Sequence, residues 1–292
     1  MAPQRERAGR FDKLTNVPIA GGMTDAIDRI AAALERIAPP PPAAADPLAH
    51  AAYVWRDATL VAARDFRPLP LALLRGVEAQ KEALVANLRR LAAGHAAQDV
   101  LLWGARGTGK SALVKSAVAA VQGDGGALAL VEVAADRIET LPRLFDAIAP
   151  VKRAFAVFLD DLGVDAAGDA RVLRSLLEGG AEARPANARL LVTSNRRHLV
   201  PREMANHDNA VSARDALDDQ LALADRFGLS LGFHALDQDG YVAIVRGYAE
   251  AHGLSFDPAD AVQWATRRGS RSGRVAWHYV VDLAGRAGVA LD

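Results

Sequence analysis

Residues 101–118, LLWGARGTGKSALVKSAV, constrain this chain more than any other stretch. Gly104 is followed, after four residues, by Gly109, Lys110 and Ser111. That spacing has a physical use: glycines let consecutive backbone N–H groups curl around an anion, the lysine reaches the outer phosphates of a nucleotide, and the hydroxyl ligates Mg²⁺. The flanks agree with it. Residues 100–103 form a short apolar run suited to a buried strand, and residues 112–121 are apolar at helical spacing. The loop therefore falls at a helix N-terminus, where the dipole favours negative charge. Gly104, Ala105, Arg106, Gly107, Thr108 and Gly109, with Lys110, Ser111 and Ala112, are read as a phosphate cradle. The competing reading, a glycine-rich turn with a solvated lysine, leaves Ser111 and the paired glycines without a role.

The rest of the chain predicts the setting of this loop. Residues 127–133, 154–161 and 189–195 are continuous apolar runs, the pattern of parallel strands buried on both faces beneath helices. Residues 228–234 read as a last strand. Helical spacing covers 140–148 and 170–183, the latter with Val172, Leu176 and Leu177 inward, and a helix after residues 74–77 runs to about Ala93 and closes at Gly94. Residues 50–66 read as short extended pieces around a turn, 198–217 as a polar insertion and 221–227 as a helix end. From Asp239 onward only helices follow, at 241–252, 258–266 and 273–285. Near the N-terminus, residues 1–23 are polar and Arg-rich and read as loose. Residues 25–38 then place Ile27, Ile30, Ala31, Leu34 and Ile37 on one helical face, and the prolines at 39–42 stop that helix.

The expected architecture is thus α/β: a P-loop three-layer sandwich with a parallel sheet over residues 48–236. A small all-helical domain at 237–292 follows it, and a flexible segment at 1–47 with one amphipathic helix and a Pro-rich linker precedes it.

Composition removes several classes of function. The 292 residues carry no cysteine, which excludes disulfides, thiol nucleophiles and thiolate metal sites. Lys+Arg and Asp+Glu balance at 35 each, so no overall basic field points to nucleic acid or to an acidic membrane. No apolar run approaches the ~18 residues of a membrane span. The first residues, MAPQRERAGRFDK, lack the apolar core of a secretory signal, and a cytoplasmic location is expected.

Phosphoryl transfer is catalysed by positioning and charge stabilisation, so a cradle needs a carboxylate for the metal, a group to orient water and cations for the developing charge. Asp160, at the end of an apolar strand, suits the metal together with Ser111, and Asp161 suits the water-orienting base. Two adjacent carboxylates repel unless a cation sits between them, which favours this reading over a helix N-cap in the next turn. Asn195 can meet the γ-phosphate or the water, or serve as a turn residue. Arg226, beside Asp225, is either an arginine given across a subunit interface or half of a surface salt bridge. Arg274, with Arg271, can swing over the phosphates or lie in a solvated basic turn. The stretch from Leu74 to Val77, with Leu74, Gly76 and Val77 foremost, is a candidate for an adenine pocket, with core packing as the alternative for Leu74 and Val77.

These residues resemble the AAA+ ATPases. GARGTGKS is similar to that family's Walker A, VFLDD to its Walker B, VTSN to its sensor 1, ADRFG to its arginine-finger segment and SGRVA to its sensor 2, in the family's order from about residue 70 to the C-terminus. Asp161 departs from the glutamate of most members, although the replication-initiator and helicase-loader branch also ends this strand in two aspartates. More narrowly, GVEAQKEAL, LLWGARGTGKSALVK, LADRFGLSLGF and RSGRVAW resemble a bacterial AAA+ ATP-binding family of unknown function. The resemblance implies ATP and Mg²⁺ as ligands, hydrolysis to ADP and phosphate, and remodelling of a protein or nucleic-acid client. It also implies a possible ring of identical subunits joined through Arg226. Two other classes fit the loop: an ATP-dependent switch or scaffold with little hydrolysis, and a small-molecule kinase with a closing lid.

Overall fold

The computed structural model describes residues 19–37, 43–162, 167–178, 184–195 and 225–291. The chain divides into two compact units, one ending at Pro42 and one beginning at Ala43. The described part of the first is a single helix, α1 (Ile19–Ile37). Residues 19–23, expected to be loose, are helical: Gly21 and Gly22 weaken a helix but do not forbid its backbone angles. Ile27, Ile30, Leu34 and Ile37 of its apolar stripe are exposed.

The second unit opens with a hairpin of β1 (Ala52–Arg56) and β2 (Thr59–Ala62). Its two-residue turn, Asp57–Ala58, has φ of 50° and 54°, the type I′ geometry that matches strand twist. Five parallel strands follow: β3 (Val100–Gly104), β4 (Leu128–Val133), β5 (Ala154–Leu159), β6 (Ala188–Ser194) and β7 (Leu229–Phe233). The seven lie in the order β2-β1-β4-β5-β6-β3-β7, with β1 parallel to β4 and only β2 antiparallel.

Each central strand is apolar on both faces because both are covered. Helices α2 (Glu78–Ala92) and α3 (Lys110–Gly123) bury Leu84, Leu88, Val114 and Val118 against Leu102, Leu130, Phe158 and Leu191. On the other face, α4 (Leu141–Ile148) and α5 (Ala167–Glu178) bury Leu144, Phe145, Leu173 and Leu176 against Leu101, Val131, Val157 and Leu190. Burial of this kind is worth roughly 25 cal/mol per Å² of apolar surface. A third cluster joins α6 (Gln238–Ala251), α7 (Pro258–Arg267) and α8 (Gly273–Ala287) through Tyr241, Val245, Ala265, Tyr279 and Val280. These three helices start where a side chain accepts a backbone N–H: Asp237 from Gly240, Asp257 from Ala259 and Ser272 from Val275.

Register brings the candidate residues to one edge of the sheet. Leu159 pairs with Val192, Trp103 with Ser194 and Gly104 with Phe233, so β3, β5 and β6 end side by side at their C-termini. In open parallel sheets that edge is where ligands bind. Gly104 has no substitute there, since a Cβ on it would lie 2.0 Å from the Phe233 carbonyl oxygen. The expected helix end at 221–227 is corrected in its described part: Asp225 and Arg226 form a turn that delivers Phe227 to the core, and 221–224 lie outside the described residues, as does the insertion at 198–217. Among the described residues no helix is long and apolar enough to cross a membrane.

Candidate functional site

The loop between β3 and α3 is shaped by glycines at positive φ: Gly107 at 77° and Gly109 at 95°, the latter being the N-cap of α3. Thr108 Oγ1 donates to the Ala105 carbonyl at 2.8 Å and closes the turn. Lys110, the first residue of α3, is buried. Its Nζ donates to the carbonyl oxygens of Gly104 at 2.8 Å and Ala105 at 2.9 Å, and to Asn195 Oδ1 at 3.1 Å. Burial holds its pKa below the ordinary lysine value. The carboxylates of Asp161 and Asp160 pull it upward, and the Arg106 guanidinium adds to the lowering.

Two hydroxyls fix the carboxylates beside it. Ser111 Oγ and Thr193 Oγ1 each donate to Asp160 Oδ1 at 2.6 Å. Thr193 Oγ1 also accepts the Asp161 backbone N–H at 2.8 Å, and the Leu162 N–H reaches the Thr193 carbonyl at 2.9 Å. These bonds hold Asp161 at φ 52°, a left-handed conformation uncommon for a side-chain-bearing residue and frequent at functional sites. Asn195 Nδ2 donates to Asp161 Oδ1, while Arg106 lies 3.6 Å from Asp161 Oδ2. Lys110, Ser111, Asp160, Asp161 and Asn195 are thus brought together into one polar group, its two halves joined through Thr193.

A cleft of about 950 Å³ opens over this group. Its polar end includes Arg106 to Ala112, Asp160, Asp161, Asn195 and Arg274. Its apolar end is walled by Leu73, Leu74, Val77, Ile244, Tyr248 and Trp277, so that residues ahead of α2 face the C-terminal helices. Tyr248 meets the Trp277 ring edge-on at 5.4 Å between centroids. Leu74 is also buried in the core between the sheet, α2 and α3, as the core-packing alternative had it. Gly76 is not part of the lining; its N–H donates to Glu78 Oε1 at 3.1 Å. Arg274 lines the cleft and Arg271 does not. Arg226 lies apart from this group and is paired with Glu178, with Nε donating to Oε1 at 2.7 Å, and not with Asp225.

The model of a family described as "Protein of unknown function (DUF815)" matches residues 48–287. The chain belongs to the DUF815 family. No curated protein matches it. Among solved structures, the DUF815 chain is similar to the Thermotoga maritima RuvB Holliday junction branch migration motor, at 18% identity over 77% of this chain and 68% of that one, with a TM-score of 0.50. It is also similar to the Aeropyrum pernix ORC1 protein solved in complex with DNA, at 17% identity over 74% of this chain and 64% of that one, with a TM-score of 0.53. At these identities the likeness concerns fold, and with the strand order and loop above it gives this DUF815 chain the AAA+ P-loop fold.

Three contributors escaped sequence reasoning. Thr193 stood inside the quoted run at 192–195, and a hydroxyl two positions before a strand-end Asn was the signal for it. Tyr248 and Trp277 gave no local signal, because their approach depends on how the C-terminal helices pack.

Proposed function

We propose that this chain binds ATP with Mg²⁺ in the cleft and hydrolyses it, coupling nucleotide state to remodelling of a protein or nucleic-acid client. The observation that carries this reading is the joining of Lys110, Ser111, Asp160, Asp161 and Asn195 at the mouth of a glycine loop. The donor set fits the ligand. Lys110 is buried and, among the described residues, bonded to neutral oxygens alone, so an entering phosphate meets a cation with little competing water. Ser111 and Asp160 are hard oxygen donors, and magnesium is commonly held by one or two such groups together with phosphate. Bound there, magnesium would neutralise charge on the outer phosphates.

In this proposal Lys110 and the loop N–H groups hold the phosphates, Ser111 and Asp160 the metal, and Asp161 and Asn195 orient the attacking water. The apolar wall at Leu74 and Val77 takes the adenine, Arg274 reaches the phosphates from residues 237–292 acting as a lid on 48–236, and Arg226 acts across an interface between identical subunits. The RuvB and ORC1 likenesses suggest, without identifying, the nature of the client. Calorimetry on the whole chain tests the core of the proposal. Magnesium-dependent uptake of one ATP is expected, and Lys110→Ala should weaken it by about a hundredfold or more, the size of a lost buried ion contact. Well-folded protein that takes up no adenine nucleotide would refute it.

A second reading, an ATP-dependent switch with little turnover, has one observation in its favour: both carboxylate oxygens of Asp161 are engaged, by Asn195 and by Arg106. Phosphate release at saturating ATP, with and without candidate clients, separates the two. Release that stays at the spontaneous rate throughout selects the switch.

A further inference from the structure

Four arginines line the cleft: Arg67, Arg75, Arg106 and Arg274. Two are engaged, Arg67 with Asp65 at 3.0 Å and Arg106 with Asp161 at 3.6 Å. Arg75 and Arg274 have no hydrogen bond or ion pair with any described residue. Arg274 is accounted for at the phosphate end. Arg75 is not, and its surroundings differ: it follows buried Leu74 and lies against α6 at Gly247, next to Tyr248.

Gly247 is buried in the interior of α6, where alanine would make the better helix. A Cβ there would lie 2.7 Å from Arg75 Nε, 3.4 Å from Cδ and 3.5 Å from Cζ. The guanidinium therefore fills the space a side chain at 247 would need. It crosses from the segment ahead of α2 to the C-terminal helices at the apolar end of the cleft. A guanidinium is planar, weakly hydrated and prone to stack on π-systems, and such contacts strengthen when water is excluded.

We infer that Arg75 is a specificity-determining residue that stacks on the purine ring of the bound nucleotide, with the bare backbone of Gly247 as its seat. The inference rests on the nucleotide reading given above and adds to it the group that distinguishes a nucleotide from a bare polyphosphate.

Titration of the full chain with MgATP and, separately, with magnesium tripolyphosphate tests it. Wild-type protein should prefer ATP. Arg75 is exposed, so Arg75→Ala should lose about fivefold in ATP affinity, the upper size of an exposed cation–π contact, while tripolyphosphate affinity stays within about twofold. Arg75→Lys should not restore ATP affinity, since an ammonium keeps the charge and lacks the plane. Gly247→Ala keeps the arginine, favours the helix and displaces the guanidinium, so ATP affinity should fall without loss of thermal stability. An equal loss of both ligands in Arg75→Ala would make Arg75 a phosphate contact and overturn the inference, as would no loss of either. Wild-type protein that binds tripolyphosphate without preferring ATP overturns the base contact and leaves the cradle standing. Binding of neither overturns the nucleotide reading itself.

Discussion

Thr193 organises the carboxylates more than any residue that would touch a ligand. One buried hydroxyl donates to Asp160 and accepts from the Asp161 N–H, so it sets both the direction of one carboxylate and the left-handed backbone of the other. Thr193→Val keeps the shape and removes both bonds. A loss of about 2 kcal/mol in urea unfolding is expected, since a charge-assisted bond disappears and an N–H is left without its acceptor. Unchanged stability would mean that the aspartates are held by other means. The contrast with its neighbours explains what was legible. Lys110 and Ser111 follow from glycine spacing, and Asp160, Asp161 and Asn195 from the ends of apolar runs, all of which are local. Thr193 works because Leu159 stands opposite Val192, and cross-strand register is not written in either strand alone. Trp277 depends likewise on packing between distant segments.

Elements were legible where one period dominated. The strands at β4, β5 and β6 announced themselves through unbroken apolar runs, whereas the β1–β2 hairpin read only as extended pieces because its turn, Asp57–Ala58, lacks glycine. Ala58 at φ 54° is a poor fit to a left-handed position, which costs roughly 1 kcal/mol for a residue with a Cβ. Ala58→Gly should therefore stabilise the protein by about 1 kcal/mol, as measured by chemical denaturation. At the sheet edge away from the cleft, Asp99 is buried ahead of β3. It accepts the Leu190 N–H at 2.8 Å and pairs with Arg184 at 2.6 Å. Burial lifts its pKa above the usual carboxylate range, against the pull of the Leu190 N–H, Arg184 and Arg189. With the folded-state pKa raised, its favourable contribution is complete below the ordinary carboxylate pKa and is lost as pH rises through the elevated one. Asp99→Asn removes that dependence. The stability of wild type minus variant should thus grow as pH falls from about 7 toward about 4, and a flat difference would contradict it.

At the scale of the molecule, the proposed assembly turns on Arg226, which the described structure engages with Glu178. If it completes a neighbour's site, Arg226→Ala should spare ATP binding and lower turnover about a thousandfold in assembled protein, read by phosphate release alongside light scattering. Full turnover by the variant would remove that role. Within the chain, the loop and the C-terminal helices are in direct contact. Gly107 has no side chain, and a Cβ on it would lie 2.9 Å from both Cβ and Oγ of Ser272, the residue that caps α8. The first turn of α8 rests there on bare backbone, and α8 shares one apolar cluster with α6 and α7. Close-packed bodies pass small displacements on instead of absorbing them. With Leu69 and Leu73 packed against the same cluster and Arg75 against Gly247, the three C-terminal helices are seated on the nucleotide-loop side and on the segment ahead of α2 at once, so a side chain added at 107 has nowhere to go without unseating Ser272.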